Sequence, residues 1–171
     1  TSTNDTLLML SSGDAGVEID DSNESGFIAQ LTEAARHVAQ EMVADGEGAS
    51  RVMRIHVTGA DCDRDAEIFA RAVGASPLVK PAITGCDPNW GRIVSAAGDA
   101  PAKLDPVRTS LTLMGTEIYR GGVPTEHDAA AVSEAMRASN EVQIELRVGE
   151  GPGDATHWAS DLTTDYVRFN S

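Results

Sequence analysis

Apolar residues recur at every third or fourth position from Ser25 onward, at Phe27, Leu31, Ala34, Ala35, Val38 and Met42, with Gln30, Glu33, Arg36 and Glu41 between them. That period predicts an amphipathic helix, stopped near Asp45-Gly46-Glu47-Gly48, where a glycine can take the left-handed turn that ends a helix. The period then drops to two. From Arg51 to Thr58, Met53, Ile55 and Val57 face one way and Val52, Arg54, His56 and Thr58 the other, as in a half-buried strand. Val142, Ile144, Leu146 and Val148 alternate in the same way with Gln143, Glu145 and Arg147. Shorter runs at Ser110 to Met114, Glu117 to Tyr119, Ala155 to Ala159 and Tyr166 to Phe169 read as further strands. Near the start, Thr6-Leu7-Leu8-Met9-Leu10 before Ser-Ser-Gly predicts a buried strand, and a chain that opens so close to a core strand predicts an edited N-terminus.

Three more helices fall between these strands. One carries Ala66, Ile68, Phe69, Ala72 and Val73, with Asp61 or Asp63 as its cap and Gly74 as its stop. A short one runs from Gly91 to Ala97, and a longer one from Glu126 to Ala138. Ser76 to Pro81 reads as an extended lead into Cys86-Asp87-Pro88-Asn89-Trp90-Gly91-Arg92-Ile93. In that loop Asp-Pro pushes Asp87 out of the helical region, Asn89 can bond neighbouring backbone, and Gly91 permits a conformation closed to other residues, so one fixed geometry is expected. Interleaved helices and strands give an α/β or α+β class. The alternation implies sheets covered on one face, hence largely antiparallel or mixed ones. No repeat or linker divides residues 1–171, which read as a single domain.

Composition narrows the partners. A formal charge of −14 repels phosphate backbones and anionic lipid, so neither nucleic acid nor membrane is expected to bind. No apolar run approaches the roughly 20 residues that cross a bilayer, and the first residues lack a secretion signal, so a soluble cytoplasmic protein is expected. The 2 cysteines, Cys62 and Cys86, and the 4 histidines, His37, His56, His127 and His157, lack metal-ligand spacing, and no metal is expected.

Chemistry-bearing motifs are few. Gly149-Glu150-Gly151-Pro152-Gly153 follows a strand without opening a helix, and Pro152 lacks the amide a phosphate would need, so it reads as a turn. Glu47, between two glycines, is either a solvated turn acid or a carboxylate that a small amine can approach closely. Thr1 combines a hydroxyl with a free amine, the pairing that self-processed hydrolases use as nucleophile and base, or it stands first by accident.

Asp45-Gly46-Glu47-Gly48-Ala49-Ser50-Arg51, Val57-Thr58-Gly59-Ala60, Ser76-Pro77-Leu78-Val79-Lys80, Gly85-Cys86-Asp87-Pro88-Asn89-Trp90-Gly91-Arg92-Ile93 and Asp161-Leu162-Thr163-Thr164-Asp165-Tyr166-Val167, in this order, closely resemble the β chain of the arginine-biosynthesis ornithine acetyltransferase (bifunctional glutamate N-acetyltransferase) family. The resemblance runs from Thr1 to Asn170. It implies an α+β fold, a layered αββα sandwich like that of N-terminal-nucleophile hydrolases, with mixed or antiparallel sheets. It also implies a precursor that cuts itself into α and β chains, assembled as an α2β2 heterotetramer. A threonine freed by the cut takes acetyl from N-acetylornithine and passes it to glutamate, with no cofactor; acetyl-CoA is an alternative donor that the resemblance leaves open.

Carried over residue by residue, Glu47 matches the family's substrate-binding glutamate and Asn170 the asparagine of its Tyr-Val-x-x-Asn block. Thr1 does not match the nucleophile, which lies in an Ala-Thr-Met-Leu-like motif a few tens of residues upstream, so no catalytic residue is expected in this chain. The oxyanion-hole residues and the substrate lysine belong to the α chain, and a terminal Ser or Thr lies five residues beyond the family's asparagine. The chain is therefore expected to be the larger part of a β chain, inactive alone. Pro81, Cys86, His157, Ser160 and Thr164 depart from the family pattern without removing a matched substrate residue. Trp90 and Trp158 are expected to pack rather than react. Two other readings compete: an amidase or aminopeptidase with Thr1 as nucleophile, and a non-catalytic binding domain of the same fold.

Overall fold

The computed structural model describes residues 6–171, and these fall into two compact units that meet in sequence at Gly46 and Glu47. Thr1 lies outside the described residues. The predicted first helix forms as α1, Glu24–Ala44, with no buried residue. Phe27, Leu31, Val38 and Met42, its apolar stripe, are all exposed. The strand expected at Thr6 to Leu10 does not form, and Leu7 to Leu10 are exposed instead. An apolar run becomes a strand only when another backbone pairs with it, and no described strand does.

In the second unit the period-two patterns become strands of one mixed sheet. Its elements are β1 (Val52–Ala60), α2 (Asp63–Ala75), α3 (Val79–Thr84), α4 (Trp90–Gly98), β2 (Ser110–Leu113), β3 (Thr116–Arg120), β4 (Val123–Pro124), α5 (Ala129–Arg137), β5 (Glu141–Arg147), β6 (Gly153–Ser160) and α6 (Thr164–Phe169). The strand order is β4-β3-β2-β5-β1-β6. Only β1 and β5 run parallel; β1–β6, β2–β5, β2–β3 and β3–β4 are antiparallel. The α+β class and mixed sheet expected from the alternation are therefore present.

One face of the sheet holds the core. Met53, Ile55, Val57, Leu111, Leu113, Val142 and Ile144 are fully buried, together with Phe69, Ala70 and Val73 of α2 and Met136 of α5. The other face is polar. There His56 Nε2 lies 2.9 Å from Asp154 Oδ2.

Four local expectations need correction. Neither aspartate caps α2: its N-cap is Cys62, and Asp63 accepts the Asp154 amide at 3.0 Å, joining the helix to β6. Ser76 to Pro81 is not extended throughout, because Val79 starts a helix with Pro81 as its third residue, where the missing N–H has no helical partner to lose. Tyr166 to Phe169 is not a strand. Thr163 caps α6 by accepting the Tyr166 amide, and Asp165 pairs with Arg168 at 3.0 Å one turn on. In the tryptophan loop the left-handed residue is Cys86, at φ 52°, while Gly91 sits within α4.

That loop does hold one geometry. Asn89 caps α4 by accepting the Arg92 amide, Ser133 Oγ of α5 donates to the Cys86 carbonyl at 2.7 Å, and Trp90 stacks on Tyr119 with centroids 5.2 Å apart. Trp90 packs, as its indole area predicts.

His157 lies on the covered face of β6, where a Cβ at Gly74 of α2 would come within 3.0 Å of its ring. Burial holds its pKa below the ordinary 6.5; Arg71 and Lys80 push the same way, and Glu67 opposes them. The unfolded chain therefore takes up this proton first as pH falls through 6.5. The stabilisation is complete above that value and shrinks as pH drops toward the folded-state pKa. The urea midpoint is expected to fall between pH 7.5 and pH 5.5, and less steeply in His157→Gln; equal slopes would assign the fall to other groups.

Candidate functional site

Glu47 and Asn170, far apart in the chain, meet in the structure: Asn170 Nδ2 donates to Glu47 Oε2 at 3.1 Å. Both side chains are exposed, so the pair opens to solvent. Local sequence explains how each is delivered. Gly48 adopts φ +66°, turning the chain so that a Cβ there would lie 2.5 Å from the Tyr166 backbone nitrogen. Only glycine permits that approach. The Thr163 hydroxyl donates to the Gly48 carbonyl at 2.5 Å while accepting the Tyr166 amide, so one side chain caps α6 and ties it to the Glu47 turn. One short helix later, Asn170 ends α6 and donates a second bond to the Tyr166 carbonyl at 2.9 Å. Its amide is thus held while it contacts Glu47. Glu47 Oε1 accepts no hydrogen bond from a described residue, leaving it available to a cationic ligand.

Beneath this turn lies a residue to which the sequence reading gave no role. Asp161, directly after β6, is 4% exposed. Its Oδ1 accepts the Ser50 and Arg51 amides at 2.9 and 3.2 Å, and its Oδ2 lies 2.5 Å from Ser50 Oγ and 3.1 Å from Thr84 Oγ1. Its own amide donates to the Arg51 carbonyl at 3.0 Å. Thr84 Oγ1 also sits 2.8 Å from the Leu162 carbonyl. Lys80, on the same helix as Thr84, donates from Nζ to the Ser160 carbonyl. Burial pushes the Lys80 pKa below its ordinary value, and the Asp161 charge partly restores it. The available signal was an acid closing a strand, beside a block of hydroxyl residues, at a position that tertiary packing makes polar and buried.

The polar sheet face has its own shallow groove, lined by His56, Thr58, Ser110, Thr112, Glu145 and Arg147. Neither Glu47 nor Asn170 reaches it. No described helix is long and apolar enough to cross a membrane.

The site is thus an exposed carboxylate braced by an amide, on a rim fixed by a glycine turn and a capped helix, and its chemistry is that of a hydrogen-bond acceptor open to solvent. The profile of the ArgJ family matches residues 1–171, and the chain belongs to that family. It is 50% identical to the arginine biosynthesis bifunctional protein ArgJ of Rhodopirellula baltica, over 100% of this chain and 43% of that protein. Against the protein of the same name from Nitratidesulfovibrio vulgaris it is 41% identical, over 100% and 44% respectively. The chain thus spans less than half the length of these relatives. The crystal structure of the arginine biosynthesis bifunctional protein ArgJ from Bacillus halodurans superposes with a TM-score of 0.94 at 32% identity, covering 99% of this chain and 81% of that one.

Proposed function

We propose that this chain is the greater part of the β chain of a glutamate N-acetyltransferase that moves acetyl from N-acetylornithine to glutamate in arginine biosynthesis. The observation that carries the reading is the Glu47–Asn170 contact: the two residues that the family resemblance assigns to substrate come together, across 123 positions of sequence, at an open rim. The nucleophile is a threonine outside these residues, freed when the precursor cleaves itself. Its Oγ attacks the acetyl carbonyl, the carbon–nitrogen bond to ornithine breaks, and the departing amine takes the proton. The neutral amine of glutamate then attacks the threonine ester, the carbon–oxygen bond breaks, and the departing Oγ takes the proton that the amine loses, restoring the enzyme. Oxyanion donors on the α chain stabilise both tetrahedral intermediates. This chain supplies binding. The free oxygen of Glu47 accepts from the substrate ammonium, and Asn170 fixes the other oxygen without adding charge.

The α chain is the expected partner, in an α2β2 assembly working in the cytoplasm. No cofactor takes part in the transfer, with acetyl-CoA as a second acetyl donor to be tried in the same assay.

The test is acetyl transfer from N-acetylornithine to glutamate by the full gene product, with Glu47→Ala beside it. Losing a charged hydrogen bond to the substrate is expected to raise KM about tenfold or more, with native circular dichroism retained. Absence of transfer by the intact parent protein, or unchanged kinetics in Glu47→Ala, would refute the reading.

A further inference from the structure

Two of the sequence blocks singled out above, and a helix that begins inside a third, meet on one buried side chain. Ser50 and Arg51 come from the block holding Glu47, Thr84 ends α3, which begins at Val79 inside the Ser76-to-Lys80 block, and Asp161 opens the block that leads through α6 to Asn170. We propose that Asp161 is a positioning residue, a buried clamp that sets the distance and angle between Glu47 and Asn170 and so tunes affinity for the substrate ammonium. The inference rests on the substrate-binding reading of those two residues.

Geometry gives the clamp its leverage. Asp161 pins the chain three and four residues after Glu47 through both amides, and its own backbone starts the segment that ends at Asn170. Both arms of the rim therefore originate at one carboxylate. A second tie, from Thr163 to the Gly48 carbonyl, lies between that origin and the Glu47–Asn170 contact. If the carboxylate is removed, two inward-facing amides and the Ser50 hydroxyl lose a common acceptor, Thr84 Oγ1 loses a neighbour at 3.1 Å, and the start of β1 is free to drift relative to the end of β6. A drift approaching an ångström is enough to cost a charged contact much of its value. Asparagine keeps one oxygen for the two amides, and its NH2 can donate to the hydroxyls of Ser50 and Thr84, which accept as readily as they donate. The conservative change should therefore restore what alanine removes.

The experiment uses the complete enzyme, both chains present, and compares Asp161→Ala, Asp161→Asn, Glu47→Ala and the Asp161→Ala/Glu47→Ala double variant by KM and kcat for N-acetylornithine and by thermal midpoint. Asp161→Ala is expected to raise KM about tenfold with kcat within about threefold, and Asp161→Asn to return KM to within about threefold of the parent. In the Glu47→Ala background the further loss should be less than about twofold, because the clamp acts through Glu47. Should Asp161→Ala fail to fold, Ser50→Ala and Thr84→Val each remove one hydroxyl from the carboxylate and enter the same cycle, with KM rises of about threefold expected. The proposal is overturned if KM stays within about twofold of the parent while Glu47→Ala raises it, which leaves the substrate site standing. It is equally overturned if the two losses multiply in the double variant, the mark of a purely structural role. If Glu47→Ala has no effect, the substrate reading itself has failed, and the clamp with it.

Discussion

Gly48→Ala is expected to lower kcat/KM for acetyl transfer by about a hundredfold in the complete enzyme, a larger loss than removing the Glu47 carboxylate itself. At φ +66° a side chain is strained by roughly 1–2 kcal/mol, and its Cβ would lie 2.5 Å from the Tyr166 nitrogen and 3.0 Å from the Asp165 carbonyl carbon. Those are backbone atoms of α6, so relief requires the helix or the turn to move. Either movement separates Glu47 from Asn170 and breaks the tie from Thr163 to the Gly48 carbonyl. The backbone of the rim is then displaced as a whole, whereas Glu47→Ala deletes one carboxylate and leaves the turn and α6 in place. Gly98→Ala is the matched control: a Cβ there meets nothing within 4 Å, and alanine at that position should leave kinetics and stability unchanged or slightly improved. Steady-state kinetics and urea denaturation on both variants check this. A Gly48→Ala enzyme with parental KM would mean that the turn does not place the substrate site.

The sheet was legible in the sequence because its information is local and periodic. Met53, Ile55 and Val57, and Val142, Ile144 and Leu146, alternate with polar neighbours, and burial follows that alternation. What the sequence obscured was decided by partners. Leu7 to Leu10 have a strand's composition but no described strand to pair with, so hydrophobicity alone did not make one. Tyr166 to Phe169 is also mostly apolar, yet a threonine cap and an i,i+3 ion pair turn it helical. The left-handed residue of the tryptophan loop is Cys86 rather than Gly91; the Cys86 carbonyl accepts from Ser133, a bond from a distant helix that no local rule contains.

The site divides along the same line. Glu47 and Asn170 came from motif resemblance, and between two flanking glycines the bare sequence left Glu47 open to a bland reading. Their contact and the Asp161 clamp are products of β1–β6 pairing, which sets Val52 opposite Ser160 and thereby brings Arg51 against Asp161. A pairing between the sixth and sixteenth decades of the chain has no periodic trace, and residues that owe their role to it stay silent until the register is known.

The register has a cost at its other end, where Gly59→Ala is expected to destabilise the protein by about 3 kcal/mol, lowering its thermal midpoint by roughly 10 °C, while leaving KM for N-acetylornithine within about twofold. Gly59 sits at φ +80° where the β1–β6 register shifts between Thr58 and Ala60. The Gly149-to-Gly153 turn crosses directly over it: a Cβ on Gly59 would lie 2.3 Å from the Gly149 carbonyl oxygen, and one on Gly151 would lie 2.0 Å from that of Ala60. Backbone packed on backbone leaves no flexible side chain to give way, so alanine at either position must force the turn off the strand and break the Gly151 amide to Gly59 carbonyl bond of 2.9 Å. Val148, whose amide donates to the Thr58 carbonyl, would follow. All of this happens where β1 ends and β6 begins, whereas Ser50, Arg51 and Asp161 lie where β1 begins and β6 ends, so the length of a nine-residue strand separates the damage from the recognition rim. Differential scanning calorimetry and saturation kinetics on the same preparation separate the two quantities. A KM that rises in step with the loss of stability would show that the rim depends on the whole sheet, and would undercut the assignment of its geometry to the local clamp.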